Sequence, residues 1–155
     1  MTVWTPSPAV TVKVVGLAWR GDELLVAEVE DSSSRIKGLR PLGGKIEFGE
    51  TREEALQREF TEELGCPVSL AGPWHAFENI YQHEGATGHE FIFASNVVLG
   101  DDRLYQRERI PFREDEGMLC HAVWQSPRGL APGVELYPTG LLPLIATGQI
   151  SPGGI

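Results

Sequence analysis

The spacing of apolar and polar positions changes period several times along the chain. From Val10 to Trp19 the residues are rich in β-branched side chains, and the turn Arg20-Gly21-Asp22 leads into a second run, Glu23 to Val29, which predicts a β-hairpin. Asp31 to Lys37 is polar and predicts a loop. Between Thr51 and Gly65 the period lengthens, because Leu56, Phe60 and Leu64 recur every four residues and form the stripe of a helix that buries one side. Thr51 followed by Glu54 is a capping-box pattern for the start of that helix, and Gly65 with Pro67 supplies its stop. Trp74 to Tyr81 and His89 to Leu99 predict two strands joined by the glycine-containing segment Gln82 to Gly88, and Met118 to Trp124 predicts another. Leu141 to Thr147 predicts a short helix after Pro138 and Gly140, and the SPGGI tail predicts disorder. Strands around a central helix, with a second helix near the end, are compatible with an α/β/α sandwich in one domain over residues 1–155, its core at about 8–148.

Composition narrows the class. A chain of 155 residues with 41% apolar content is long enough for one core. Its 13 Lys and Arg against 22 Asp and Glu give a net charge of -9, which disfavours nucleic acid and anionic membranes as partners. No apolar run is long enough to span a membrane, and the MTVWTPSPAV start lacks the basic and apolar regions of a secretion signal. Cys66 and Cys120 make no disulfide framework, so a cytoplasmic location is expected, with Cys66 a small buried residue rather than a nucleophile.

Candidate chemistry concentrates in residues 44–66, GKIEFGETREEALQREFTEELGC. On the helix predicted there, Glu59, Glu62 and Glu63 fall at i, i+3 and i+4, within an arc of about 100°. Like charges at that spacing weaken a helix by a few tenths of a kcal/mol. A divalent cation would compensate, since hard ions such as Mg2+ take oxygen ligands and bridge carboxylates to phosphates. Gly43-Gly44, read as a turn before the helix, lets the backbone approach such an ion, and a carbonyl there could be a further ligand. A lone E-x-x-E-E is more often a solvated face. Against that reading stands the joint spacing G-x5-E-x7-R-E-U-x-E-E-x-G-U, with U a bulky apolar residue, filled by Gly44, Glu50, Arg58, Glu59, Phe60, Glu62, Glu63, Gly65 and Cys66.

This segment resembles the Nudix box, the signature of hydrolases acting on nucleoside diphosphates linked to another moiety. The match covers 23 contiguous residues, and one departure stands beside it: a common variant has proline directly before the double glycine, whereas here Leu42 intervenes after Pro41. The resemblance implies a Nudix-type α/β/α sandwich with a mixed central sheet and a Mg2+-dependent pyrophosphohydrolase, with Mn2+ as a substitute ion. It implies that Glu62 and Glu63 bind metal, that Glu59 binds metal or takes the proton of the attacking water, and that Gly43 or Gly44 contributes a carbonyl. Arg58 is expected to hold Glu59 in place. Glu50 is a further ligand, a carboxylate supporting the ligands, or a cap on the helix dipole. Several family members carry the general base on a loop before a late strand, and the cluster Glu114, Asp115, Glu116 lies in a comparable place; Glu116 is the candidate, with a solvated loop over RIPFREDEG as the alternative.

Substrate contacts are less sharply marked. Arg40 and Lys45, with Arg35 and Lys37, could meet phosphates. Tyr81 lies 15 residues beyond the box, near the position of a tyrosine in relatives that cleave dinucleoside polyphosphates. His75, His83, His89 and His121 lack a zinc spacing. Two functions remain open: hydrolysis of a nucleoside triphosphate or other nucleoside diphosphate derivative, and a non-catalytic Nudix-like module that senses such a ligand. The intact glutamates favour the enzyme. A small nucleotide is the expected partner, and a homodimer is left open.

Overall fold

The computed structural model describes residues 4–114 and 117–152, so Asp115, Glu116 and the last three residues of the SPGGI tail lie outside the described residues. The elements run β1 (Val10–Arg20), β2 (Glu23–Glu30), β3 (Ile36–Lys45), α1 (Arg52–Leu64), β4 (Val68–Leu70), β5 (His75–His83), β6 (Ala86–Leu99), β7 (Arg109–Arg113), β8 (Leu119–Gln125), β9 (Glu135–Leu136) and α2 (Leu141–Ala146). The strands form a mixed sheet in the order β4-β6-β1-β3-β2-β8-β7, with β5 also on β6 and β9 on β3. β1 and β6 are parallel from Val10 opposite His89 to Ala18 opposite Val97, whereas β1 with β3 and β2 with β3 are antiparallel.

β3 makes the sheet curl. Its first half pairs with β2 as far as Pro41 opposite Val26, and its second half pairs with β1 from Leu42 opposite Gly16 to Lys45 opposite Lys13. Pro41 has no N–H to give a ladder and sits where the strand changes partner.

Strict alternation sorts the strand side chains between two layers. Val14, Ala18, Leu25, Ala27, Leu42, Val97 and Leu99 pack with Ala55, Leu56 and Phe60 of α1. Val15, Leu17, Leu24, Val26, Leu39, Ile92 and Ala94 pack with Leu141 and Ile145 of α2. A helix on each face of a mixed sheet is the expected α/β sandwich.

Several local expectations are corrected. Gly43 and Gly44 are not a turn; they lie in β3, opposite Val15 and Val14. A Cβ on Gly43, whose φ is 154°, would come 2.8 Å from the Val15 Cα, so this crossing demands glycine. Leu42 therefore alters no loop and is a fully buried core residue. The expected loop at Asp31 to Lys37 already enters β3 at Ile36, and the Gln82 to Gly88 connection is mostly strand, leaving Glu84 and Gly85, both with positive φ, as a two-residue hairpin turn. Part of the expected RIPFREDEG loop is the strand β7, in which Ile110 and Phe112 face inward.

Candidate active site

α1 is built as its sequence dictates. The Thr51 side chain accepts from the Glu54 N–H at 3.1 Å, the Glu54 carboxylate accepts from the Thr51 N–H at 2.9 Å, and Gly65 closes the helix in the left-handed conformation at φ 69°. With Leu56 and Phe60 pressed into the sheet, the neighbouring face carries Glu59 down onto β3. Glu59 is only 3% exposed. Its carboxylate lies directly over Gly44: a Cβ there would stand 2.6 Å from Oε2 and closer still to Cδ and Oε1.

Arg58 ties this carboxylate to the loop between β3 and α1. Its Nη1 donates to Glu59 Oε1 at 2.9 Å, Nε and Nη2 donate to the two oxygens of Glu50 at 2.7 and 2.9 Å, and Nη2 also reaches the Lys45 carbonyl at 3.0 Å. Glu62 Oε2 stands 3.5 Å from Nη1. The fork is fully engaged, which fits the planar, bidentate geometry of guanidinium. The Arg58 hydrogen bonds, helped by the Glu47 N–H, hold the Glu50 carboxyl at about 2 against an ordinary 4.5, and Arg58 itself is raised, chiefly by Glu50. Glu50 thus serves here as the partner of Arg58.

The other predicted residues separate between the two faces of the sheet. Arg40, in phase with Leu42 and Gly44, lies on the α1 face and pairs with Glu114. Lys45 and Tyr81 line a cavity of about 330 Å³ on the α2 face, together with Lys13, Glu90 and the segment from Trp4. Burial, with the charge of Glu90 adding, pushes the Tyr81 phenol up to about 12, so it is neutral at physiological pH. Lys45 joins the two regions, since its carbonyl accepts from Arg58 while its side chain borders the cavity. Glu116 lies outside the described residues. Cys66 and Cys120 are buried thiols pushed upward by that burial.

Sequence reasoning passed over Lys13, Asn79 and Glu90. The signal was phase: Lys13 alternates with Val15 and Leu17, and Glu90 with Ile92 and Ala94, so both charges point where apolar residues point.

The NUDIX domain model matches residues 8–135. The chain belongs to the Nudix family. At the level of that family it is a hydrolase of nucleoside diphosphate derivatives. No protein of curated function matches it in sequence. Among solved structures, the Nudix chain is similar to the E. coli ORF135 protein, with 23% identity and a TM-score of 0.54 over 90% of this chain and 91% of that one. It is also similar to a UDP-X diphosphatase, with 15% identity and a TM-score of 0.52 over 97% of this chain and 68% of that one. At these identities the likeness is one of fold.

The Nudix box donors are carboxylates and backbone carbonyls, hard oxygens of the kind that Mg2+ accepts. Glu59 seated on the bare Gly44 backbone is a cradle that any Cβ would fill. Among the described residues no three acidic, histidine or cysteine side chains converge into a ready ion site. Glu59 is held by Arg58, and the Glu62 side chain is 46% exposed. The donor set fits a hard cation in kind. Among the described residues no helix is long and apolar enough to cross a membrane.

Proposed function

We propose that this chain is a Mg2+-dependent hydrolase that cleaves the diphosphate linkage of a nucleoside triphosphate or another nucleoside diphosphate derivative in the cytoplasm. One observation carries the reading: Arg58 fixes the buried Glu59 against Gly44 and, through the Lys45 carbonyl, ties that carboxylate to the rim of the cavity.

Glu59, Glu62 and Glu63, with the carbonyl of Gly43 or Gly44, would hold the ion, and Glu50 would keep Arg58 in register. Bound there, Mg2+ supplies neutralisation of the diphosphate oxygens and a more acidic water. The chain's own residues do the rest. Arg58 sets the direction of Glu59 by holding Oε1, which leaves the carboxylate pre-aimed rather than rotating. Glu59, or Glu116 ahead of β8 in the sequence, receives the proton of the attacking water. Lys45 meets a phosphate at the rim, and Arg40 on the α1 face is a second basic contact once Glu114 yields it.

The test is a panel of nucleoside triphosphates, nucleotide sugars, ADP-ribose and dinucleoside polyphosphates, incubated with Mg2+ and resolved by chromatography, with Glu62→Gln run in parallel. Metal-dependent release of a phosphorylated product by wild type, lost in EDTA and strongly reduced in Glu62→Gln, is the expected result. Ligand binding without turnover across the whole panel would overturn the hydrolase and leave a nucleotide sensor.

A further inference from the structure

The cavity on the α2 face contains polar chemistry that the hydrolytic step does not use. Its floor is made of cross-strand rows. Thr11 of β1 lies opposite Glu90 of β6, which lies opposite Asn79 of β5. In the adjoining row Lys45, Lys13 and Ile92 stand side by side. Tyr81 lies across from Gly88 on the other flank, with its ring over that glycine.

Glu90 and Asn79 are each 7% exposed. A carboxylate is costly to bury unless it is paired and hydrogen-bonded. Here the compensation comes from separate elements. Lys13 Nζ stands 2.6 Å from Glu90 Oε2, Asn79 Nδ2 donates to Glu90 Oε1 at 3.3 Å, and Thr139 Oγ1, just before α2, donates to Asn79 Oδ1 at 3.4 Å. For the fold alone an apolar pair would serve as well or better. Ile92, beside Lys13 in the adjoining row, is such a residue. The ion pair interrupts the apolar layer where that layer opens into the cavity.

The donor and acceptor inventory says what would recognise it. Glu90 Oε2 is sealed beside Lys13, so Oε1, with a second lone-pair site besides the one that accepts from Asn79, is the oxygen left to meet a ligand, and the Lys13 ammonium has three N–H groups with Glu90 as its ion-pair partner. An acceptor and a donor therefore stand side by side on the floor. Their complement is a planar edge with an N–H beside a ring nitrogen or carbonyl, which is the pairing edge of a nucleobase. Tyr81 offers the flat apolar face on which a base stacks. The volume, about 330 Å³, lies at the lower end of small-molecule sites. Lys45 marks the way out, because its carbonyl is bonded to Arg58 of the box.

We propose that Lys13 and Glu90 determine substrate specificity by reading the hydrogen-bonding edge of the nucleobase, with Tyr81 as the aromatic wall of the same pocket. This rests on the reading of the chain as a nucleoside diphosphate derivative hydrolase. Cytosine and adenine, which set an amino group beside a ring nitrogen, and guanine, which sets an N1–H and an amino group together beside a carbonyl, are favoured. Uracil and thymine flank their single N–H with two carbonyl oxygens, one of which would face the Glu90 carboxylate.

Binding without metal separates this from catalysis. Calorimetry in EDTA with CMP, AMP, GMP and UMP should show wild type binding at least one amino-bearing nucleotide about tenfold or more tighter than UMP, the low end of what one good hydrogen-bonded pair discriminates. Glu90→Gln should shrink that ratio to about twofold or less. Because it leaves Lys13 without its counter-charge, the double variant Lys13→Met/Glu90→Leu, which removes both charges together, is the companion that keeps the pocket apolar and folded. Equal affinities for all four nucleotides in wild type, or an unchanged ratio in either variant, would overturn the assignment. Base-selective binding by a wild type that hydrolyses nothing would sink the hydrolase and spare the pocket. Base-indifferent binding by an active hydrolase would do the reverse.

Discussion

Replacing Gly44 with alanine tests the seat of Glu59 directly. The new Cβ would stand 2.6 Å from Glu59 Oε2, against the 3.4 Å at which ordinary contact begins, so the carboxylate must retreat by at least 0.8 Å. The retreat carries Oε1 away from Arg58, whose other bonds to Glu50 and the Lys45 carbonyl hold it back. A misplacement of about 1 Å in a catalytic group costs on the order of a hundredfold in rate, or about 2.7 kcal/mol of barrier. The fold should survive, because a weakened charged hydrogen bond removes at most about 1.5–3 kcal/mol from a total of about 5–15 kcal/mol. Steady-state kcat/KM with Mg2+, measured beside circular dichroism and a thermal melt, checks both halves. Gly43→Ala is the contrast: its Cβ meets the Val15 and Val14 backbone of the neighbouring strand, which cannot give way. That variant should lose Tm before it can be assayed for rate. A Gly44→Ala protein with wild-type kcat/KM would show that the position of Glu59 on β3 does not matter to turnover.

Three further outcomes follow from the same geometry. Glu50 is held at about 2 rather than 4.5, mainly by Arg58, so its folded pKa is depressed and the stability it contributes is present above pH 4.5 and lost as pH falls toward 2; Glu50→Gln should flatten the urea midpoint in that window, and a curve parallel to wild type would contradict the pairing. Thr51→Ala removes the acceptor for the Glu54 N–H and should lower stability by about 1 kcal/mol, read as a lower Tm, with an unchanged melt counting against the capping box. Glu116→Gln should reduce kcat about a hundredfold or more with metal affinity unchanged, and full turnover would remove Glu116 as the base.

The helix of the box was legible because its signals are local: the capping box, the four-residue apolar repeat and the terminal glycine all act within one element. β3 was not, since Gly43-Gly44 read as a turn. Their reason is non-local, for Gly43 and Gly44 are demanded by β1 behind them and Glu59 above them. β7 was hidden in a polar stretch, although Ile110 and Phe112 alternate inward around Pro111, a residue suited to the outer strand of a sheet. Arg40 and Lys45 were grouped as basic residues near the box, but odd spacing in a strand sends them to opposite faces. The half-buried Lys13–Glu90 pair needed β1 and β6 in register before it could be seen as one object.

The alternation along β1 and β3 has a consequence for how such a chain can change. Thr11, Lys13 and Lys45 line the cavity, while Val14, Leu42 and Gly44 face the box helix. Ligand preference and hydrolytic machinery are therefore written on alternate letters of the same two strands. A library randomised at the cavity-facing letters can search for new substrates while the box-helix face is inherited intact, and Lys45, whose main chain serves one face and whose side chain serves the other, couples the two alphabets.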